Sequence, residues 1–409
     1  MWLVLNLSYY ISNRISRQQD GTFSTTINRI AVISTGLGLA VLLVAFMVLF
    51  GFKTEIKNKI YSFSGHLIIS KYTLSTSFEE TSIQVTDSLV NQLDTYALTK
   101  QFQPFAMKAG LLKTEEEVQG VIIKGVDHRF DTTGFEKHII QGKFPNLSAT
   151  PYSTEVALSK KIATYLELNV VDEVLVYFVQ NPPRFRKLQV VGIYETGLEE
   201  FDEKIILGDL DLIRRINGWG AEQATGIEVF INDTDKLEQA ENELFNSLGI
   251  DLYVDKVTDK YVQIFDWLNL LNRNVVVLLV IILFVAGTSI ISILLILIME
   301  RTQMIGVMKS IGASNRLIRS IFIWNGIRLI LRGLIWGNLI GVGLGLIQRY
   351  FKIIPLDPAN YYMAHVPIEF DVLTILGLNL LVLTLIGLTL LIPVMVISRV
   401  QPVQAIRFD

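Results

Sequence analysis

The sequence predicts an α-helical membrane protein with four transmembrane helices and a large extracytoplasmic α+β domain between helices 1 and 2. Three observations support this fold class. Charged residues thin to almost nothing in four long blocks. The mean hydropathy of +0.43 and the apolar fraction of 51 % are high for a soluble protein with 18 % charged residues. The long stretch between the first two blocks has, in contrast, an ordinary soluble composition and is large enough to bury its own core.

Composition also excludes several classes of function. The net charge of −3, without a basic stripe, gives no indication of nucleic-acid binding. The chain has no cysteine, so it has no disulfide or thiolate chemistry. There is no phosphate-binding G-x-x-x-x-G-K-[ST] loop and no G-x-S-x-G nucleophile elbow, so we expect no enzyme activity, cofactor or metal in this chain. The four histidines, His66, His128, His138 and His365, lack the spacing of metal ligands. A cluster of acidic residues is interpreted as a solvated turn; it consists of Glu199, Glu200, Asp202 and Glu203.

The N-terminal region predicts a membrane-surface helix followed by the first span. Residues 1–26 mix apolar and polar positions and fit a cytoplasmic interfacial helix. Residues 27–52 form the first transmembrane helix. They are too long for the apolar core of a signal peptide, and no small-residue cleavage site follows.

Residues 53–268 are predicted to form a periplasmic α+β domain, with a second lobe at about 142–219 that begins in the proline-containing segment after Gly142. Runs rich in β-branched residues predict five strands, at His66–Ser70, Val118–Ile123, Val174–Val179, Leu188–Ile193 and Gly226–Ile231. Four segments have helical patterns, at Thr86–Leu98, Ser159–Leu166, Asp209–Ile216 and Asp235–Leu248.

The C-terminal part predicts three further spans. Residues 269–299 form a stalk and the second span, and the run from Val275 to Met299 contains no charge. A charged cytoplasmic turn at 300–319 leads to the third span at 320–347, a periplasmic loop at 348–371, the fourth span at 372–398 and a cytoplasmic tail at 399–409. Lysine and arginine are more frequent in the short segments on the side that carries residues 300–319 and both termini. Because short cytoplasmic segments are enriched in these residues, we expect this side to face the cytoplasm.

Two patterns in the third span allow more than one interpretation. Arg328 and Arg332 lie four residues apart on one helix face. They could form a buried ion pair or a substrate contact, or their side chains could extend to the cytoplasmic interface. Glycines recur every fourth residue, at Gly333, Gly337, Gly341 and Gly345. Small residues at this spacing predict close packing against the fourth span or a partner.

The turn carries a recognisable motif. Glu300 to Ser314 reads E-R-T-Q-M-I-G-V-M-K-S-I-G-A-S and resembles the signature of FtsX-like permeases of ATP-binding-cassette transporters, as does the tail Gln401–Asp409. Other segments resemble the lipoprotein-releasing permeases within that superfamily; they are Ile33–Ala40, Phe50–Phe52, Gly192–Gly197 with Phe201 and Asp202, and Tyr361–Tyr362 with Val366 and Pro367. The resemblance covers essentially the whole chain.

The resemblance implies a role in an assembly at the inner membrane. A cytoplasmic ATPase, which binds ATP and Mg²⁺, would contact the turn, and a second permease chain, identical or a sister, would complete a dimer. The contact residues implied by position are Met304, Ile305, Gly306, Lys309, Gly312, Ala313 and Ser314, with Met304 replacing the usual glutamate. The substrate would be an acylated lipoprotein among membrane lipids. A periplasmic carrier would dock on the hairpin Tyr177–Lys187 through Pro182, Pro183, Arg184 and Arg186, although this hairpin looks shorter than the family's.

The physical cost of extraction predicts an apolar path for the lipid chains. A triacylated lipoprotein has about 40 buried methylenes, and exposing them at about 0.8 kcal/mol each would cost roughly 30 kcal/mol. A groove on spans 1 and 2 would avoid this cost, and its expected lining residues are Met47, Phe50, Phe265, Trp267 and Leu271. The alternatives are an efflux or peptide-export permease, or a mechanotransmitter that regulates a periplasmic cell-wall hydrolase. A scaffold without an ATPase disagrees with the motif in the turn.

Overall fold

The computed structural model describes residues 8–12, 23–72, 81–147, 151–249 and 251–397. The expected tail at 399–409 lies outside the described residues. Of the expected interfacial helix at 1–26, residues 8–12 are helical and the segment from 23 onward belongs to the first long helix. The chain divides into two compact units. The membrane unit comprises residues 1–54, 267–355 and 365–409, and the sheet unit comprises residues 55–266 and 356–364.

Fourteen labelled α-helices occur within the described ranges. Those that lie wholly or partly in the membrane unit are α1 (Phe23–Ser64), α9 (Val262–Glu300), α10 (Thr302–Ser310), α11 (Asn315–Phe351), α13 (Val372–Thr389) and α14 (Leu391–Val396). Those of the sheet unit are α2 (Asp87–Thr95), α3 (Thr132–Glu136), α4 (Lys160–Tyr165), α5 (Glu199–Asp202), α6 (Leu210–Asn217), α7 (Leu237–Ser247), α8 (Val257–Lys260) and α12 (Pro358–Tyr361).

The described part of the sheet unit contains twelve strands. In chain order they are β1 (Leu67–Lys71), β2 (Ile83–Gln84), β3 (Thr99–Lys113), β4 (Val118–Val126), β5 (Ile139–Gly142), β6 (Glu155–Ser159), β7 (Glu173–Phe178), β8 (Arg184–Tyr194), β9 (Ile205–Asp209), β10 (Gln223–Ala224), β11 (Gly226–Ile231) and β12 (Leu252–Lys256). All five predicted strands and all four predicted helical segments are confirmed. The longest strand, β3, was not predicted.

Ten of these strands form one sheet that partly closes on itself. The order is β12-β1-β11-β3-β4-β9-β6-β8-β5, and β7 pairs with both β3 and β8. The strands β3, β4, β9, β6, β8 and β7 therefore form a closed ring, which removes most free edges. The remaining strands β1, β11 and β12 extend the sheet on one side of β3.

Two apolar clusters among the described residues contribute to the core of the sheet unit. One fills the ring and includes Val176 and Leu188, together with Ile213 from α6. The other packs α2 and α7 against β1, β11 and β12. The expected second lobe, 142–219, supplies β6 to β9, but β3 and β4, which precede it in the chain, contribute Leu112 and Ile123 to the same core. The ring is thus built from both sides of the expected boundary.

Four helices are long and apolar enough to cross a membrane within the described residues. They cover Thr26–Ser64, Val262–Glu300, Asn315–Phe351 and Val372–Val396, which we call spans 1 to 4. This agrees with the predicted fold class of four transmembrane helices and a large domain between the first two. Spans 1 and 2 are continuous helices that extend from the membrane unit into the sheet unit.

Close packing of spans 1 and 3 depends on the glycine series in span 3. A Cβ added at Gly333 would lie 2.7 Å from Cβ of Thr35, and one added at Gly337 would lie 2.7 Å from the carbonyl oxygen of Gly36. Gly341 and Gly345 lie against span 1 in the same way. The predicted close approach is confirmed, but the partner is span 1. The expected packing against span 4 or a partner chain was wrong, because periodicity identifies a helix face and not its neighbour.

A pair of amides joins spans 3 and 4. Nδ2 of Asn338 donates to Oδ1 of Asn379 at 2.7 Å, and Nδ2 of Asn379 donates back to Oδ1 of Asn338 at 2.9 Å. Each amide also donates to the carbonyl oxygen four residues earlier in its own helix. These polar groups are therefore hydrogen-bonded although they lie on apolar helices.

Candidate functional site

The short helix α10, between spans 2 and 3, forms the most distinctive surface of the membrane unit. Ile305 and Gly306 are buried, and Met304, Met308 and Ala313 pack against the same core. The opposite face exposes apolar side chains. Val307 is 45 % exposed and Ile311 is 81 % exposed. This arrangement anchors α10 on one face and leaves the other face available to a partner.

The sequence Gly312-Ala313-Ser314 has a local structural explanation. Gly312 has φ +95°, a conformation that glycine adopts without steric cost, and this lets the chain reverse after α10. The amide of Ala313 then donates to the carbonyl oxygen of Met308. Oγ of Ser314 accepts a hydrogen bond from the amide of Leu317 and caps the start of α11. These residues therefore set the angle between α10 and span 3.

Lys309 connects α10 with span 4. Its Nζ donates to the carbonyl oxygen of Ile397, at the end of the described part of the chain, at 2.9 Å. A cation beside the C-terminal carbonyls of a helix is electrostatically favourable. A displacement of α10 would therefore act on span 4 as well as on spans 2 and 3.

Met304 has a local consequence for Arg301. Both residues line a small internal cavity with Ser12 and Asn325. Nε of Arg301 has no hydrogen-bond partner among the residues that the structure describes. A glutamate at position 304, where the resembling motif usually has one, would lie one helical turn from Arg301 and could accept this hydrogen bond.

The five residues expected to line a lipid groove are placed in different environments. Met47 is only 2 % exposed and packs beside Gly345 of span 3. Phe50 is half-buried, with its ring 6.1 Å from that of Phe46. Trp267 packs edge-on against Phe52, with ring centroids 6.4 Å apart.

The other two groove residues lie along span 2. Phe265, in the sheet unit, packs 6.3 Å from Tyr61, and Leu271, in the membrane unit, is half-buried. Within the membrane unit, Met47 is therefore buried, whereas Phe50, Trp267 and Leu271 are half-buried. A role for Met47 in contacting lipid would require spans 1 and 3 to separate.

The hairpin expected to bind a carrier is formed by β7 and β8. Pro182 and Pro183 are exposed at its turn. Arg184 instead faces the sheet unit, where Nη1 donates to the carbonyl oxygens of Arg215 and Ile216 at 3.1 and 2.7 Å. Nη1 of Arg186 donates to the neighbouring carbonyl of Phe185.

Sequence reasoning missed the apolar character of this hairpin. Val179 is 74 % exposed and Phe185 is 61 % exposed, and the Phe185 ring lies 6.2 Å from that of Tyr177. The alternation of Tyr177 and Val179 with inward-facing residues was the available signal.

A buried polar cluster in the sheet unit was also missed. Nζ of Lys124 donates to Oε1 of Glu228 at 2.5 Å and to the carbonyl oxygen of Phe63, near the end of α1. Nε2 of Gln103 donates to the other carboxylate oxygen of Glu228. Burial lowers the pKa of Lys124, while Glu228 opposes this shift. A lysine and a glutamate within apolar strand runs were the sequence signal for this cluster.

The acidic residues around Asp202 are not all solvated, contrary to prediction. Asp202 is buried, and its carboxylate accepts hydrogen bonds from the amides of Thr196 and Gly197 and from Oγ1 of Thr196. Burial raises the pKa of Asp202, and these hydrogen bonds oppose the shift. The side chain thus holds the 196–202 turn, whereas Glu199 and Glu200 are exposed.

Arg328 and Arg332 differ in their surroundings. Arg332 is exposed. Arg328 donates to the carbonyl oxygen of Ser12 at 3.3 Å, and its guanidinium lies 5.7 Å from the centre of the Tyr9 ring. This placement favours the interfacial interpretation over a buried ion pair.

The four apolar helices, the inserted β-rich domain and the half-anchored helix α10 define the chain as a multi-span membrane protein of the permease class. Two family models match it. The FtsX-like permease C-terminal model matches residues 276–402, and the MacB-like periplasmic core domain model matches residues 30–246, more than half of the chain. The chain belongs to the FtsX-like permease family of ATP-binding-cassette transporters and carries a MacB-like periplasmic core domain. The four apolar helices and the family together indicate an inner-membrane protein, and the recognition made from 300–314 is confirmed.

Full-length relatives support this membership. The chain is 22 % identical over 416 residues to the lipoprotein-releasing system transmembrane protein LolC of Xylella fastidiosa (strain Temecula1), with 96 % of each chain covered. It is 24 % identical over 353 residues to LolE of Haemophilus influenzae, covering 84 % of this chain and 83 % of the relative. Among solved structures, the extracellular domain of the ABC-type transporter YknZ matches 46 % of this chain and 99 % of its own, with 16 % identity and a TM-score of 0.33.

Proposed function

We propose that the chain is the membrane subunit that couples ATP hydrolysis by a separate cytoplasmic ATPase to the release of acylated lipoproteins from the outer leaflet of the inner membrane. The names of its full-length relatives support this substrate class. In the proposed arrangement both termini and α10 lie in the cytoplasm, and the sheet unit lies in the periplasm. ATP and Mg²⁺ bind to the partner ATPase.

The observation that carries the proposal is the two-faced character of α10. Ile305 is fixed in the core, while Val307 and Ile311 form an exposed apolar surface next to it. Exposed apolar groups of this kind favour burial against another protein. When the ATPase closes, it moves α10, and Lys309 and the continuous helix of span 2 transmit the displacement.

The assembly requires further partners. A second permease chain, identical or a sister, would complete the dimer and supply the opposite wall of an apolar path for the acyl chains. Phe50, Trp267 and Leu271 are the half-buried members of the expected groove in the membrane unit. A periplasmic carrier would dock on the β7–β8 hairpin through Val179, Pro182, Pro183 and Phe185, because these side chains are exposed and Arg184 is engaged within the domain.

Co-purification tests the proposal directly. The detergent-solubilised protein is captured, and co-purifying proteins and covalent lipids are identified by mass spectrometry. We expect an ABC ATPase, a permease chain and acylated lipoproteins. An ATPase with a cell-wall hydrolase and no lipoprotein would support the mechanotransmitter instead, and an ATPase with neither would support an exporter. The absence of any ATPase would contradict the role of α10.

A pair of variants tests the coupling surface. Ile311→Asp places a charge on the exposed residue that follows α10 and should abolish ATPase capture while the protein still accumulates in the membrane. Ile353→Asp is the matched control, because Ile353 is 62 % exposed just beyond the opposite end of α11. Equal ATPase capture by the two variants would place the ATPase contact elsewhere.

A further inference from the structure

Among the described residues, the ring of strands leaves part of β4 unpaired at the start of this strand. β4 begins at Val118, but its parallel partner β9 begins at Ile205, which lies opposite Ile122. No strand among the described residues pairs with Val118–Val121 on this side, although β3 pairs with the same residues on the other side. The edge is therefore about four residues, or ~13 Å, long at 3.3 Å per residue.

The backbone of Gly120 faces this open edge. The amide of Ile122 donates to the carbonyl oxygen of Lys204 at 2.6 Å on the β9 side. Because backbone groups alternate direction along a strand, those of Gly120 point to the same side as those of Ile122. The carbonyl oxygen of Gly120 accepts a long bond of 3.3 Å from Nε2 of Gln119, which also donates to the carbonyl oxygen of Glu203 at 3.4 Å, so an added strand would displace this side chain. The amide of Gly120 has no strand partner among the described residues.

A groove of about 750 Å³ lies beside this edge. The exposed β4 edge forms one wall, and Lys161 and Tyr165 of α4 form part of the other. Leu111 and Val179 add exposed apolar surface. A Cβ added at Gly120 would meet nothing within 4 Å, so this face of the strand leaves room for a side chain of the bound segment.

We propose that this groove binds an extended polypeptide segment as an added strand next to β4. The segment would continue the line of β9, exchange hydrogen bonds with the backbone of Gly120, and place alternate side chains against Tyr165 and Leu111. Strand addition of this kind takes affinity from backbone hydrogen bonds and specificity from alternate side-chain pockets. Lys204, exposed on the rim and outside any ion pair within the described ranges, favours a segment with a carboxylate at one end of the site. The proposal rests on the geometry of the sheet unit and holds whether or not the transported substrate is a lipoprotein.

A backbone-modified peptide provides the sharpest test. The probe is a fluorescent, end-blocked heptapeptide of alternating valine and threonine with one terminal aspartate, titrated against the full-length protein in nanodiscs. We expect saturable binding and slower amide hydrogen exchange at residues 118–122. The same peptide with N-methyl groups on alternate residues cannot donate to β4 and should bind at least tenfold more weakly.

Two glycine substitutions separate groove binding from general effects on the fold. Gly120→Val fills the open position and should weaken binding at least tenfold without lowering the thermal midpoint. Gly249→Val is the matched control, because a Cβ there also meets nothing within 4 Å and Gly249 lies outside the groove. Equal binding of the N-methylated peptide, undiminished binding by Gly120→Val, or no saturable binding of the unmodified peptide would each overturn the proposal.

Discussion

Lys124 and Glu228 place a full charge pair inside the sheet unit, where neither side chain reaches solvent. Such a pair is stable because each partner compensates the other's desolvation, so removing only one partner is costly. The contact between Lys124 and the carbonyl of Phe63 also fixes the last turn of α1 to β4. The cluster therefore connects the end of span 1's helix to the middle of the sheet.

Lys124→Met should lower the free energy of unfolding by about 3–5 kcal/mol, because it leaves Glu228 buried and uncompensated. The double variant Lys124→Met/Glu228→Gln should recover most of this loss, since the amide oxygen introduced at position 228 still accepts from Nε2 of Gln103 but carries no charge. Denaturant titration of the full chain in detergent measures both. If the double variant is as unstable as the single one, the loss comes from packing and not from charge.

His66 makes the sheet unit sensitive to acid. Its Nδ1 accepts a hydrogen bond from the amide of Ile231, and burial, aided by Lys100, lowers the pKa of His66 to about 4. The unfolded chain takes up this proton near pH 6.5 and the folded chain only near pH 4. Stability is therefore highest above pH 6.5 and falls between these values, by up to about 1.4 kcal/mol per pH unit.

His66→Asn should reduce this pH dependence, because the asparagine oxygen can replace Nδ1 as an acceptor but does not titrate. Thermal midpoints of the wild type and the variant, compared at pH 7 and pH 5, provide the measurement. The wild type should lose more stability on acidification than the variant. His138, whose pKa is also lowered to about 4 by burial, retains its own contribution in both proteins. Identical pH profiles would exclude His66 as a source.

At the scale of elements, local sequence patterns predicted many of the strands and helices but did not predict which elements pack against one another. The strands β1, β4, β7, β8 and β11 were predictable from runs of β-branched residues, and α7 from its helical pattern. β3 was not, because Lys108 and Gln103 are buried in it and interrupt its apolar pattern. Closure of the ring depends on contacts between strands far apart in the sequence, which no local pattern encodes.

The same limit applies to the candidate site. Glu300 to Ser314 was recognisable as a motif, and the cap at Ser314 and the turn at Gly312 follow from it. The groove residues were chosen by position along spans 1 and 2, but a linear sequence does not define which side of a helix faces a neighbour. Met47 illustrates this, since its side chain faces Gly345.

Gly337→Leu should disrupt the packing of spans 1 and 3, because the nearest atom to an added Cβ is the backbone oxygen of Gly36, which cannot rotate away. Overpacking of this kind typically costs about 1–3 kcal/mol. Gly343→Leu on the same helix is the control, since a Cβ there meets nothing within 4 Å. The thermal midpoint in detergent should fall for the first variant only, and an equal fall for both would argue against close packing at Gly337.

At the scale of the whole molecule, the segment between spans 3 and 4 belongs partly to the sheet unit. Nζ of Lys59 donates to the carbonyl oxygen of Tyr362 at 2.6 Å, and Gly197 lies against the same carbonyl. The sheet unit is thus joined to the membrane unit by four chain connections.

Lys59→Met should release residues 356–364 while leaving the sheet unit folded. Hydrogen bonds to charged groups contribute about 1.5–3 kcal/mol, so amide exchange in this segment should accelerate about tenfold or more. Lys57→Met, at an exposed position two residues away, serves as the control. Hydrogen-exchange mass spectrometry distinguishes the two variants, and unchanged exchange in Lys59→Met would show that other contacts hold the segment.

The contact of residues 356–364 with the sheet unit also means that this unit is completed only after span 3 has been synthesised. At ~5–20 residues per second, a ribosome needs ~5–20 s to proceed from Asp266 to Ala364. During that interval the exported domain has its strands but lacks its last segment, and the amine of Lys59 and the backbone at Gly197 remain uncovered. A nascent chain that stalls after span 3 therefore leaves the domain without this segment.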